Sequence, residues 1–211
     1  MQAGQPKFRR RKAERPTEIV QAAMAVFAER GFAGAKLDEI AARAGVSKGA
    51  LYLYFETKED LFRAVVRQAI APNVAVLQAM AAAHPGPLAD LLRGAVQHIA
   101  GIVETTPLGG VVKMVIGEAG NFPELARVWH DELIAQALGA MSAAIAAAQA
   151  RGEVRPGEPR TYALQLIAPL LVMVIWRETF VPVGVEAWDI RAVMAQHVET
   201  LLRGMLTEGR P

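Results

Sequence analysis

The chain contains no cysteine among its 211 residues. That excludes a disulfide framework and any thiolate zinc site, and it fits a reducing cytoplasm. Histidines are few and scattered: His84, His98, His130 and His197 show neither an HExxH motif nor paired-His spacing. His130, Asp131 and Glu132 are consecutive, so on a helix they point in different directions. With no Gly-rich phosphate loop after a strand, these absences argue against an enzyme, and no cofactor or metal is expected. Strand-like alternation bounded by turns is missing, which leaves an all-α fold. Long hydrophobic runs are missing too. The most apolar run, Tyr162 to Trp176, has 15 residues and is interrupted by Gln165 and Pro169, whereas a membrane-spanning helix needs about 20. It reads as a buried helix, and no membrane partner is expected. Arg9 and Arg10 have the look of a twin-arginine signal, but the apolar stretch after them, Ile19 to Ala28, is short, contains Gln21 and ends in Glu29-Arg30. No targeting segment is read, and the expected location is the cytoplasm.

What is present is ample apolar surface and unevenly placed charge. Hydrophobic residues make up 53% of the chain, enough for a substantial core and contrary to global disorder. Residues 1–15 carry six basic side chains (Lys7, Arg9, Arg10, Arg11, Lys12, Arg15) and one acid, Glu14. Residues 16–70 hold seven of each sign, and residues 71–211 hold ten basic and thirteen acidic groups. A basic end on a mildly acidic body suggests an end that meets a polyanion; the alternative is a solvated tail.

Helical periodicity runs through nearly every segment. A first helix is predicted from about Pro16 to Arg30, with Pro at its first position and a stripe of Ile19, Ala23, Val26 and Phe27. Gly31 ends it, and Phe32 is placed to fold back on Phe27 as in a Schellman cap. Leu37, Ile40, Ala41 and Ala44 then recur on one helical face, Gly45 stops that helix, and Ser47 caps the next. Thr57 opens a further helix with Asp60 as its capping-box partner. Pro72 breaks or kinks the chain. Beyond it helices are predicted over 73–83, 88–105, 108–119, 123–151, 160–180 and 187–207. The organisation reads as a basic arm (1–15), an N-terminal three-helix bundle with a helix-turn-helix at about 37–56 (16–70), and a helical C-terminal domain (71–211).

Helix, short turn with Gly, helix is a DNA-reading unit that lays its second helix in the major groove. On a helical wheel, Leu51 and Phe55 share the inward side, while Gly49 and Leu53 lie opposite, facing the groove. Small Gly49 and Ala50 let the backbone approach base edges. Lys48 suits a guanine edge or a phosphate, and Leu53 a thymine methyl. Tyr52, Tyr54 and Lys58 suit phosphates, which set register without carrying sequence information; the alternative for Tyr54 is packing in the core. Lys36, before the first helix of the pair, is also within reach of a phosphate, but its side chain accepts no N–H bond, so either the cap is lost or its neighbourhood rearranges.

The last two helices differ from the others. Leu164, Ile167, Leu171 and Ile175 lie on one stripe of a helix apolar nearly all round. Val193, His197, Leu201 and Met205 lie on a broad face of the other. Two such helices make half of a four-helix interface in a symmetric dimer; the alternative is that they fill one subunit's core.

The pieces IVQAAMAVFAERGF (19–32), LDEIAARAGVSKGALYLYF (37–55) and TKEDLFRAV (57–65) resemble the DNA-binding domain of the TetR family of one-component transcriptional regulators, and GEAGNFPELARVWHDELI (117–134) is similar to one broad subgroup of it. The resemblance implies an all-helical homodimer on palindromic double-stranded operator DNA, usually a repressor, with Lys36, Lys48, Gly49, Ala50, Tyr52, Tyr54 and Lys58 meeting DNA. It also implies a C-terminal domain that binds a small molecule. Candidate lining residues are Met80, His98, Ile102, Met114, Glu118, Trp129, Leu133, Gln165, Met173 and Trp176, each with ordinary core packing as its alternative. Together they suggest a small apolar or aromatic effector with few polar anchors. The other function considered is a helix-turn-helix protein without an effector, controlled by a protein partner; a C-terminal domain lacking an internal cavity would favour it.

Overall fold

Alanine, leucine and other good helix formers, interrupted by Gly and Pro punctuation, fold as a chain of helices. The structure, a computed structural model, describes residues 7–83 and 86–207. Residues 1–6 of the basic arm and His84 therefore lie outside the described residues. The helices are α1 (Lys7–Gly34), α2 (Leu37–Arg43), α3 (Lys48–Tyr52), α4 (Lys58–Val65), α5 (Ala71–Ala83), α6 (Leu88–Thr105) and α7 (Leu108–Glu118). There follow α8 (Pro123–Trp129), α9 (Ala135–Ala150), α10 (Pro159–Thr179) and α11 (Ile190–Met205). Among the described residues the only strand-like pairing is an isolated bridge between Val154 and Leu206.

Several boundaries differ from the sequence reading, each for a physical reason. The helix α1 begins at Lys7 and passes through Pro16. It is kinked at Gly31, whose φ of 72° and ψ of 171° are not those of a left-handed Schellman cap, so one more helical turn follows. The Schellman geometry appears instead at Gly45, where Val46 N–H donates to Ala41 O at 3.0 Å and Gly45 N–H to Ala42 O at 3.1 Å. Pro72 does not break the chain. A π turn, Val66–Ile70, directly precedes α5; it widens the ladder ahead of a residue that cannot donate to the carbonyl four positions back. A second π turn, His130–Ile134, joins α8 to α9. Arg67 and Glu132 tie the two π turns together at 2.9 Å, and the guanidinium holds the Glu132 carboxyl below the usual carboxylate range.

Two apolar cores form. The first gathers α1–α4 around Phe27, Phe32 and Phe62, all fully buried, with ring centroids 5.5–6.2 Å apart. It also contains Val111, Met114 and Val115 of α7, and Leu125 and Trp129 of α8. The helix-turn-helix unit therefore shares one core with the start of the C-terminal half. The second core joins α6, α9, α10 and α11. Together, α10 and the short turn after it reach 25 residues of apolar character, enough to cross a membrane by length and composition alone, as does Pro123–Ala150. In α10 that character serves two sides at once: Ala163, Leu166, Leu170 and Val174 enter the core, while Leu164, Leu171 and Val172 are exposed.

Helices α1 and α7 cross closely. A Cβ added at Gly110 would lie 2.6 Å from Ala28 Cβ and 3.0 Å from its Cα. Gly117, in the same helix, has nothing within 4 Å of that position. Gly110→Ala is thus expected to destabilise the protein by about 1–3 kcal/mol, because helix backbone opposes the methyl. Gly117→Ala is expected to stabilise it by about 0.5–1 kcal/mol. Urea midpoints check this, and shifts of the same sign for both would contradict the crossing.

Candidate nucleic-acid interface

The outward helix α3 is short because its sequence delegates its anchoring. Ser47 caps it, accepting Ala50 N–H at 3.2 Å. Leu51, near the end of α3, is fully buried, and Phe55, just beyond it, nearly so; together they fix α3 to the first core. After Tyr52 the helix tightens, with Tyr54 N–H donating to Leu51 O at 3.0 Å. On the other side Gly49 and Leu53 face solvent, Leu53 being 83% exposed. Tyr52 is 43% exposed; Tyr54 is half-buried and packs on the core. Ala50 is half-buried, and Lys36 is exposed.

Lys48 lies in the first turn of α3, with its ammonium 2.8 Å from Asp38 of α2. That carboxylate pushes the lysine pKa above its ordinary value, so Lys48 remains a cation at any physiological pH. Both groups are exposed, and such a pair is weakly held, which leaves the ammonium able to exchange Asp38 for a phosphate. Asp38 was not singled out from sequence; its position ten residues before Lys48 across the turn is the signal. The pair α2–α3 is in turn bridged to α1 by Arg43 on Glu29, at 2.6 and 2.8 Å, and by Arg30 with Glu39 at 3.3 Å. Lys36 precedes α2 without a side-chain cap bond, so the cap is lost. Asp38 and Glu39 in the first turn partly compensate through the helix dipole.

Lys58 departs from its expected place at a phosphate. Its ammonium donates to the carbonyls of Phe32, Ala33 and Ala35 at 2.7, 3.2 and 3.1 Å and stands 4.8 Å from the Phe32 ring centre. An ammonium has three donors, and all three are engaged inside the fold.

The ten effector candidates do not converge. Met114 and Trp129 are buried in the first core and Leu133 packs on it, because that core extends beyond the reader. Glu118 reaches the same region, accepting the N–H groups of Phe32 at 2.8 Å and Ala33 at 2.7 Å. Met80 and Met173 pack on the second core. Ile102 is half-buried on α6. Gln165 is exposed, its carbonyl 2.9 Å from His197 Nε2. Trp176 donates to Glu186 O at 3.0 Å and packs its ring against Phe180 and Trp188. His98 remains: its Nε2 is the one buried side-chain nitrogen or oxygen without a hydrogen-bond partner among the described residues. One position along α6, Ile99 lines a void of about 10 Å³ shared with Ala95, Met141, Leu166, Leu170 and Met194, which is space for a single water. Sequence periodicity gave no sign of which helices enclose it.

Of the eight residues expected at a dimer face, Leu164 and Leu171 are exposed. Ile167, Ile175, Val193, His197 and Leu201 are half-buried. Met205 is a correction: at 1% exposure it faces the second core. Val172, which continues the stripe of Leu164 and Leu171, is 58% exposed.

The arrangement is paralleled in known proteins. The model of the bacterial regulatory proteins of the tetR family matches residues 19–65, and that of the tetracyclin repressor-like C-terminal domain matches residues 82–185. The HTH-type transcriptional repressor BepR of Brucella suis is 44% identical over 77 residues, 36% of this chain and 37% of that protein; the match spans little more than a third of this curated relative. A TetR-family regulator from Mesorhizobium loti has the same fold, with a TM-score of 0.75 at 24% identity over 93% of this chain and 99% of that one. The structure of SmeT in complex with triclosan aligns with a TM-score of 0.77 at 23% identity, covering 92% and 93% of the two chains. The chain belongs to the TetR family of bacterial transcriptional regulators.

Proposed function

We propose that this chain is a ligand-responsive transcriptional repressor of the cytoplasm. It binds palindromic operator DNA as a homodimer and leaves it when a small apolar or aromatic molecule binds. Residues 16–70 read DNA, with the basic arm before them adding phosphate contacts, and residues 71–211 bind the effector and dimerise. The observation that carries this reading is α3. Its inward side is anchored by Leu51 and Phe55, while Lys48, Gly49, Ala50, Tyr52 and Leu53 form a small-residue surface flanked by a cation and a phenol, with Lys36 and Tyr54 at its edges.

The effector reading is supported by the match of 82–185 to repressor-like C-terminal domains and by the shared fold with a triclosan-bound repressor. A void of about 10 Å³ admits no such molecule as it stands, so binding parts α6, α9 and α10, a shift toward a state that the ligand prefers. His98, adjacent in α6 to the void-lining Ile99, offers a buried nitrogen without a partner as a polar anchor. The alternative, a helix-turn-helix protein governed by a protein partner, gains from the small void and loses from the C-terminal match.

The reading is tested by selecting duplexes from a random pool with the full chain. Lys48→Ala and Tyr52→Ala are each expected to lower affinity for the selected duplex roughly ten- to hundredfold; unchanged affinity would refute α3 as the reader. The dimer is tested separately. Leu171→Asp, on the exposed side of α10, is expected to sediment as a monomer with helix content unchanged, and a profile that stays dimeric would refute that face.

A further inference from the structure

The elbow between α1 and α2, residues 31–35, is held from two sides by opposite charges. After the kink at Gly31 a new helical turn begins, and its first N–H groups have no acceptor within their own helix. Phe32 and Ala33 donate theirs to Glu118 Oε1 and Oε2 at 2.8 and 2.7 Å. The carbonyls of the same two residues, with that of Ala35, accept from Lys58. Both polar faces of the elbow are thus bound by ions, through charge-assisted bonds about twice as strong as neutral ones.

Glu118 is poorly placed for the stability of its own helix. It is the last residue of α7, at the negative end of the helix dipole, where a carboxylate is disfavoured. Its approach also demands glycine at 31: φ there is +72°, and an added Cβ would stand 2.3 Å from Glu118 Oε1. The same helix donates Lys113 Nζ to Glu178 O of α10 at 2.6 Å. One rigid element therefore touches the outer helix of the C-terminal half and, at its far end, the residues that lead directly into α2.

The geometry points to Glu118 as the positioning residue that couples the DNA-reading pair to the C-terminal helices, a cap supplied to the elbow by α7. A displacement of α7 pulls on the Phe32 and Ala33 peptides and so tilts α2 and α3. This rests on α2–α3 being the DNA reader.

The chain's lack of cysteine makes the test clean. Cysteines are placed at Ala42 on α2 and Ala146 on α9, both exposed, spin-labelled, and the labelled protein is diluted in an excess of unlabelled chain. Pulsed dipolar spectroscopy then reads the reader-to-body distance within one subunit. Glu118→Gln is isosteric and removes the charge. It is expected to speed hydrogen exchange at Phe32 and Ala33, broaden the distance distribution, and weaken binding to the duplex selected by wild type about tenfold. Faster exchange with an unchanged distribution and unchanged affinity would overturn the proposal, leaving Glu118 a local cap only. Should the glutamine variant fold poorly, Glu118→Asp, which keeps the charge but falls short of both N–H groups, is measured the same way, with the same expected and contrary results. If the wild-type chain retained no duplex, the DNA reading would fail, while the distance distribution would still decide whether Glu118 sets the orientation.

Discussion

The structure depends on one tight helix crossing. Gly110 lets α7 lie on α1 at a distance that a single methyl would close. That contact carries Val111, Met114 and Val115 into the core beneath the helix-turn-helix and brings Glu118 to the elbow after Gly31. Without it the reader would be a small bundle of its own, attached through the continuous helical path from α4 to α5. With it, the reader shares its core with the element that must report on the rest of the molecule.

Energetically the two halves are built differently. The reader side is stiff: three phenylalanines are fully buried in mutual contact, caps are satisfied at Ser47 and Thr57, and ion pairs lace α1 to α2. The C-terminal side joins longer helices around a void of about 10 Å³ lined by flexible and aliphatic side chains, with the His98 Nε2 buried and unpartnered among the described residues. Methionines such as Met141 and Met194 repack at little cost. A ligand that prefers the parted arrangement shifts the equilibrium by its differential affinity, and α7 stands between that region and the elbow.

Much of this was legible in the sequence because it is local. Period, caps and Gly/Pro punctuation placed most helices close to where they lie, and the wheel of residues 48–55 placed Leu51 and Phe55 inward with Gly49 and Leu53 outward. What was not legible is non-local. Lys58 reads as a phosphate-binding cation in the first turn of a helix, and only the fold brings three carbonyls to it. Glu118, Met114 and Trp129 read as residues of a C-terminal pocket, because nothing in the chain says that the reader's core reaches 85 residues onward to α7. Met205 shares a stripe with Leu201, yet four helical residues turn the chain about 40° past a full circle, enough to put Met205 in the core and leave Leu201 at its edge. Pro72 reads as a break because a π turn is not visible in periodicity.

As proposed, α3 reads DNA in two copies held at a fixed separation. Footprinting of the full chain on a duplex that it selects tests this most directly. A symmetric dimer protects two half-sites on one face of the DNA, their centres about one helical turn or a multiple of it apart. A single asymmetric footprint, or protection without sequence preference, would contradict it.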